Sequence, residues 1–401
     1  MGGLTKTEAE AVARAGAEPM LDQVRDWAAI NSGSRNLDGL ARMAGVYAEA
    51  FAPLGKVALV DPAPVEAMTA DGALLPLLHG QNLHVAVRPE APMQLLFTGH
   101  MDTVYGASQG FQDVDWRQDG SLGGPGVADM KGGIAVMLAA LKAVENSAVA
   151  GRVGYEVVIN SDEEVGSPGS AGLIAAAARG KRAALTYEPA ALPDGTLAGA
   201  RPGSGNFSIR VAGRSAHAGR NPEDGRNALV AAADLAVRLS KAAGPRLTIN
   251  PAKIDGGGPN NVVPDQAVLR VNMRPATAED EARGRSLLES AMAMVGVQYG
   301  VALSLHGGFG RPPKPMTPAD EALFGLVVRC GADLGQPIAW QPSGGVCDGN
   351  NIAACGVPVV DTMGVRGGAI HSPDEYLIVD SLAERAALSA LTILRLAGQA
   401  A

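Results

Sequence analysis

The apolar positions in the first half of the chain form short runs separated by longer segments of helical period. Apolar residues crowd 94–98, 155–159 and 183–185, and between them 132–144 and 168–179 carry apolar residues at helical spacing. Short apolar runs alternating with helices predict βαβ units and a largely parallel sheet. Ligands of such a sheet bind beyond the carboxyl ends of its strands. The polar residues that follow these three runs are therefore the first candidates for chemistry.

The pattern changes near Gly203. Phe207, Ile209 and Val211 alternate with polar neighbours, helical segments fit 227–243 and 278–295, and strands fit 246–254, 267–273 and 301–306. The order β-α-β-β-α-β is ferredoxin-like. It predicts an inserted α+β unit at 204–311 within a larger α/β unit made of 1–203 and 312–401. The Gly- and Pro-rich stretch 307–318 reads as the linker back. A helix at 320–334, an apolar strand at 357–360 and a terminal helix at 380–397 rejoin the first sheet. A chain of 401 residues suits two such units, because single cores stop growing well below that length.

Composition removes several function classes. With 47% hydrophobic and 18% charged residues the chain sits among globular proteins rather than disordered ones. The formal net charge of -8 and the lack of any basic stripe argue against nucleic acid, whose binding draws on clustered Lys and Arg. No apolar stretch approaches the roughly 20 residues that span a bilayer, so no membrane role is expected. The first 20 residues are polar and helical in pattern, with Lys6, Glu8, Glu10 and Arg14, and lack the apolar centre of a signal peptide. Cys330, Cys347 and Cys355 show no CxxC spacing, so neither a disulfide framework nor a thiolate zinc site is expected. Together these features fit a cytoplasmic protein.

Each strand end carries candidate chemistry. His100 and Asp102 share a face of an extended chain, so the carboxylate can accept the second ring N–H and orient the imidazole as a metal ligand. Taken singly, a His near a strand end such as His100 is more often a solvated residue than a ligand. Asp129 stands at the mouth of a long apolar helix, where a lone Asp is an N-cap more often than a ligand. Asp162, Glu163 and Glu164 follow the second strand, and adjacent acids repel unless a cation or water compensates. On a metal reading one Glu binds the ion while its neighbour takes a proton from water. Glu188 follows the third strand, and His371 lies far down the chain. Two imidazoles with three or four carboxylates suit zinc, with manganese or cobalt as substitutes.

The motifs GHMDTV, GVADMKGG, SDEEVGS, YEPA, SAHAG and AIHS occur in this order across 95–375, and the set resembles that of the co-catalytic zinc peptidases. That family includes glutamate carboxypeptidase, acetylornithine deacetylase, succinyl-diaminopimelate desuccinylase and aminoacylase. The resemblance implies two zinc ions per chain: His100, Asp129 and Glu188 on one, and Asp129, Glu164 and His371 on the other, with Asp129 bridging. It implies Asp102 as the residue orienting His100, Glu163 as general base and acid, and a cis peptide after Asp129. The implied fold is a catalytic α/β unit with a mixed, largely parallel sheet flanked by helices, plus an inserted ferredoxin-like lid and dimerisation domain. His217 of SAHAG would reach over the site, in the family often from the partner subunit of a homodimer, to hold the oxyanion.

On the strand 267–273 the alternation of Leu269, Val271 and Met273 leaves Arg270, Asn272 and Arg274 on the other face. Arg274 is the first candidate to bind a substrate carboxylate. Asn261 and Arg311 resemble further substrate contacts of the family. The implied reaction is hydrolysis of an amide next to a carboxylate: release of a C-terminal amino acid from a small N-acyl or peptide-like substrate, as in glutamate carboxypeptidase. Deacylation of N-acyl amino acids is the alternative, and a non-catalytic dimeric binding relative is a distant third, since every ligand and the base are present. The segment 188–201 lacks the lysine that glutamate-releasing relatives can carry for a second carboxylate, which leaves Arg201 as its substitute. His79 and His84 read as polar-loop residues without an acidic partner, and His306 as the end of a strand. Cys347, in GGVCDG, reads as a packing or substrate-contact residue rather than a nucleophile.

Overall fold

A computed structural model describes residues 3–398; the ends of the larger expected unit, 1–2 and 399–401, lie outside the described residues. Three helices come first, α1 (Lys6–Gly16), α2 (Met20–Ala28) and α3 (Leu37–Phe51). Strands β1 (Lys56–Val60), β2 (Asn82–Val87), β3 (Met93–His100), β4 (Val153–Asn160) and β5 (Ala183–Thr186) then build the central sheet, completed by Val359–Val360. Their spatial order is β1-β2-β4-β3-β5 followed by Val359–Val360. From β4 to Val359–Val360 every pairing is parallel, while β2 runs antiparallel to both β1 and β4.

Helices cover both faces of this sheet, which is why its strands read as continuous apolar runs rather than alternating ones. On one side Leu95 and Phe97 of β3 pack with α4 (Gly133–Glu145) and, near the end of the chain, the helix Ser381–Gly398 in the main core. On the other, Leu96 and Val158 meet α5 (Ala171–Ala178) through Ile174, Ala177 and Ala178. Buried on nearly every side, α4 shows only weak amphipathicity, with eleven of its thirteen residues inside.

The second sheet is antiparallel and has its own core. Strand β6 (Ser204–Ala212), α6 (Ala228–Ala242), β7 (Leu247–Gly256), β8 (Gln266–Pro275), α7 (Ala278–Tyr299) and β9 (Ala302–Arg311) follow one another, and the strands lie in the order β7-β8-β6-β9. This is the ferredoxin-like arrangement. Phe207, Ile209 and Val211 pack with Leu269, Val271 and Met273 beneath the two helices. The opposite face carries Asn206, Ser208, Arg270, Asn272 and Arg274, and it looks across a cleft of about 810 Å³ toward Glu164–Pro168 of the larger unit. Two hydrogen bonds tie the units together at one end of this cleft. Arg270 Nη2 donates to Met68 O (2.8 Å) and His306 Nε2 to Glu66 O (3.0 Å).

Three expectations need correction. The glycines at 307–310 are not linker: β9 runs on to Arg311, its register against β6 intact up to a bulge at Ser204. Backbone pairing with a neighbouring strand fixed these glycines where side-chain pattern could not. His306 accordingly lies within β9 rather than at its end. His84 is not in a loop but on β2, where its Nε2 meets Glu156 Oε2 of the adjoining strand at 2.6 Å; His79 is buried with Asp162 Oδ2 3.9 Å away. His84 gained its acidic neighbour through strand pairing and His79, still in a loop, through burial against the Asp162 turn, both at sequence separations no local reading spans.

Candidate metal centre

Three parallel strands deliver their carboxyl ends to one place. His100 closes β3 in register with Asn160 on β4, so the residues after each strand, Asp102 and 162–164, lie side by side; Glu188 follows β5, the neighbour of β3. Between β3 and β4 the turn that enters α4 brings in Asp129, followed by a cis peptide bond. His371, with φ +63°, comes from the segment 369–375.

The two oxygens of Asp129 face different imidazoles. Oδ1 lies 3.1 Å from His100 Nε2 and Oδ2 lies 3.4 Å from His371 Nε2. Glu188 Oε2 stands 3.7 Å from His100 Nε2, and Glu164 Oε2 stands 3.2 Å from His371 Nε2. Ligand atoms of His100, Asp129 and Glu164 all fall within 4.8 Å of one another, as do those of His100, Glu163 and Glu188. Residues drawn from five separate stretches of sequence therefore converge.

The orienting bond to His100 differs from the expected one. His100 Nδ1 donates to the main-chain oxygen of Asp102 at 2.9 Å, while the Asp102 carboxylate is 3.5 Å away. Either way Nδ1 carries the proton and Nε2 presents its lone pair to the cluster. The buried Asp102 carboxylate instead accepts the Ser34 hydroxyl (2.7 Å) and the backbone N–H groups of Glu163 (3.1 Å) and Glu164 (3.2 Å). It fixes the acidic turn as well as the histidine loop.

Burial and crowding shift these groups strongly. Burial, with Asp129 beside it, pushes Glu164 up to about 8 against the pull of His371. Burial also raises Glu163 to about 7, with Arg311 opposing and Glu188 adding to the rise, and it raises Glu188. Hydrogen bonds to Asp129 and Glu164 lift His371 to about 11. For His100 burial pulls the other way, yet Glu188, Asp102 and Asp129 hold its value well above the ordinary one. Four carboxyl groups crowd two imidazoles, all but the exposed His371 largely buried, and such a set of acidic groups is stabilised by a cation.

Glu163 is buried, and Arg311 Nη2 donates to its Oε1 (2.6 Å) and its main-chain oxygen (2.8 Å). Expected as a substrate contact, Arg311 is here committed to Glu163 and to Ser167 Oγ (3.0 Å), while still lining the cavity. Arg274 also lines this cavity of about 370 Å³, alongside Asp129, Glu164, Glu188 and His371. Its Nε donates to Asn272 Oδ1 (2.9 Å), and among the described residues no carboxylate pairs with it. His217 and Asn261 are not brought to the cavity. They sit together and exposed on the small unit, where Asn261 O accepts the Ala218 N–H (2.9 Å) and His217 Nδ1 accepts the Gly219 N–H (3.1 Å).

Sequence reasoning assigned no role to Glu375 or Lys131. Glu375 is fully buried, and its carboxylate accepts the N–H groups of Ala128 (2.9 Å), Asp129 (3.0 Å) and Gly126 (3.3 Å). Lys131 Nζ donates to Trp27 O (3.1 Å) and Ile30 O (2.8 Å), and burial lowers it to about 7. Both hold the Asp129 turn in place. The only sequence signal for Glu375 was its nearness to His371. Cys347 lines the cavity with its thiol pushed well up by burial, which disfavours a thiolate nucleophile.

Known proteins resemble this chain over most of its length. A family model described as Peptidase family M20/M25/M40 matches residues 96–395. Carboxypeptidase G2 of Pseudomonas sp. (strain RS-16) is 31% identical over 328 residues, covering 80% of this chain and 78% of that protein. A succinyl-diaminopimelate desuccinylase of Verminephrobacter eiseniae (strain EF01-2) is 26% identical over 359 residues, covering 84% and 87%. Among solved structures, the M20 family metallo-carboxypeptidase Sso-CP2 from Sulfolobus solfataricus shares the fold with a TM-score of 0.73 at 15% identity, covering 95% of this chain and 99% of its own.

Proposed function

From the premise that this chain belongs to peptidase family M20/M25/M40 and is a hydrolase, we propose that it cleaves an amide bond next to a carboxylate, releasing a C-terminal amino acid from an N-acyl or peptide substrate. The observation that carries the reading is Asp129, whose two oxygens face His100 and His371 with Glu188 and Glu164 at their flanks. Buried carboxylates crowded together with neutral-nitrogen donors fit a pair of divalent ions of the zinc class. His100, Asp129 and Glu188 would hold one ion and Asp129, Glu164 and His371 the other. When bound, such ions polarise the scissile carbonyl and acidify water.

The remaining work falls to the chain's own side chains. Glu163, fixed by Arg311 and by its N–H bond to Asp102, takes a proton from the attacking water and returns it to the leaving nitrogen. Arg274, which no carboxylate pairs among the described residues, binds the substrate carboxylate and sets the register of the amide against Glu163. Asn261 and His217 would complete the site from a second copy of the chain in a homodimer, His217 holding the oxyanion. Deacylation of N-acyl amino acids needs the same parts, and the desuccinylase-type relatives support it as the second reading.

The test is Glu163→Ala in zinc-loaded protein, assayed on N-acyl amino acids and dipeptides. Turnover should fall by about 10²- to 10⁴-fold while two zinc ions per chain are retained. A variant that kept full turnover would remove Glu163 from the mechanism. A wild-type protein that holds zinc but hydrolyses none of the panel would point to a non-catalytic binding protein.

A further inference from the structure

The cleft of about 810 Å³ between the two units opens onto the metal cavity of about 370 Å³, and the two share Glu164, Arg274, Arg311 and Val346 as lining. An amide seated against Glu163, with its carboxylate on Arg274, fills the smaller cavity with the released residue. The acyl half of the substrate then runs into the larger cleft. Its two walls differ in chemistry. The small sheet presents Asn206, Ser208, Asn272 and the bare backbone of Gly308, where a Cβ would meet nothing within 4 Å. Arg270 on this wall is already engaged, donating to Asp255 Oδ2 (3.3 Å), Ser208 Oγ (3.1 Å) and Met68 O (2.8 Å). Asn206 Oδ1 accepts from Asn272 Nδ2 (2.8 Å), which leaves the Asn206 N–H₂ group to the cleft. Across from it stand Val65, Met68, Leu77, Val165 and Pro168. Neutral donors and acceptors on one wall suit peptide groups, and an apolar wall opposite suits their side chains. A hydrocarbon acyl chain would leave the polar wall unpaired, and a charged one would lack a counter-ion.

The far end of this cleft is closed by a piece of chain that belongs to neither large sheet. Glu66–Met68 and Leu74–Pro76 pair with each other, Glu66 opposite Pro76, in a hairpin that leaves the larger unit between β1 and β2. It reaches across to the small sheet. Glu66 O accepts from His306 Nε2 (3.0 Å), Met68 O accepts from Arg270, and a Cβ on Gly72 at the tip would strike the Arg210 side chain (2.7 Å). The turn is closed by its own bonds, Thr69 N–H to Ala73 O (2.8 Å) and Gly72 N–H to Thr69 O (3.1 Å). The hairpin is thus a preformed bar across the cleft. Along β9 the cleft runs from Arg311, bonded to Glu163, back to His306, bonded to the hairpin, which is roughly 17 Å of strand. An extended peptide of about four or five residues fills that length.

Resting on the amidohydrolase reading above, we propose that hairpin 66–76 is a length gauge: the acyl half of the substrate is a short, uncharged peptide lying in the larger cleft, and the hairpin stops it at about four residues. The gauge acts by blocking the path, and it takes no part in the chemistry at Glu163. His306 and Arg270 are positioning residues that hold the hairpin against the small sheet.

The experiment measures release of the last residue from N-acetyl-(Ala)n-Ala and N-acetyl-(Ala)n-Glu, with n running from zero to about seven so that the series outgrows the cleft. The proteins are zinc-loaded wild type, a variant with 67–75 replaced by Gly-Gly, and His306→Ala. Glu66 and Pro76 are direct partners, so a two-residue turn can join them. Thermal melting and zinc content check that each variant folds, and His306→Ala carries the test if the shortened hairpin does not. Wild-type kcat/KM should rise about three- to tenfold per residue over the first members, the size of one net hydrogen bond, and fall about tenfold or more once the acyl chain outgrows the cleft. The shortened hairpin should abolish that fall and His306→Ala should soften it, while both keep the shortest member within about twofold of wild type; general damage would lower all lengths alike. Calorimetric binding of the same peptides to zinc-loaded protein reads the length limit without turnover. A wild-type profile that is flat or declines from the shortest member, or a cut-off that stays in place in the folded variants, would overturn the inference, even where N-acetyl amino acids are hydrolysed. Hydrolysis of no peptide, together with the same length limit in binding, would overturn the amidohydrolase reading and leave this one standing.

Discussion

Glu163, Glu164 and Glu188 are carboxylates held where protonation is favoured, and His100 and His371 are imidazoles held where the proton is retained. All five bind protons more tightly in the folded protein than in the unfolded chain. From about pH 5 to pH 8 the metal-free folded state therefore holds more protons than the unfolded one, and its stability falls as pH rises. Asp129, whose value is lowered, acts in the opposite sense only below the ordinary carboxylate range, and Lys131, lowered to about 7, opposes the five at the upper end of the window without outweighing them. We expect the melting temperature in chelator to drop between pH 5.5 and 8, and added zinc to remove most of that slope, since metal displaces the protons. A flat profile without metal would contradict the electrostatics described. Glu375 is the sharpest single-residue prediction away from the ligands. Glu375→Gln places an N–H₂ group against backbone N–H donors, and should cost about 1–3 kcal/mol of stability and roughly 10- to 100-fold in zinc affinity, read by thermal melting and metal competition.

At the scale of elements, the site depends on how closely α4 approaches β5. A Cβ at Gly133 would run into the main-chain oxygen of Tyr187, the residue before Glu188, so only glycine allows the first turn of α4 to sit there. Gly133→Ala should destabilise by about 1–3 kcal/mol through overpacking and should also reduce bound zinc, because the helix carries the Asp129 turn while Tyr187 leads into Glu188. Melting and metal analysis on the same preparation separate this from a plain packing defect, which would leave zinc content unchanged. The sequence made most such elements legible. The 132–144 helix appears as Gly133–Glu145, the 278–295 helix as Ala278–Tyr299, and each of the three first apolar runs as a central strand. Less legible were β1 and β2, which join the sheet antiparallel at its edge, and the last residues of β9. Those depend on a neighbouring strand for their backbone hydrogen bonds, and no pattern within the segment announces the neighbour.

At the scale of the whole molecule, the position of His217 bears on the chemistry. Within one chain it is exposed on the small unit and does not line the cavity that holds Glu163. If a second copy supplies it, as proposed, then His217→Ala and Glu163→Ala proteins, each nearly inactive, should regain activity when unfolded, mixed and refolded together. One site of the mixed dimer then has both residues intact. No recovery would place His217 in its own chain's site, reached by closure of the cleft, or outside the mechanism. The primary structure by itself determined the αβ alternation, the ferredoxin-like insertion and the identity of the clustered His and acidic residues, because periodicity and short motifs are local properties. Tertiary structure alone decided that Asp129 turns one oxygen to each histidine, that Arg311 is bound to Glu163, that Glu375 clamps the Asp129 turn, and that Arg201 and Lys314 meet on Asp361. Each of these joins residues far apart in the chain, and such partners are fixed by strand order and packing, which no local pattern encodes.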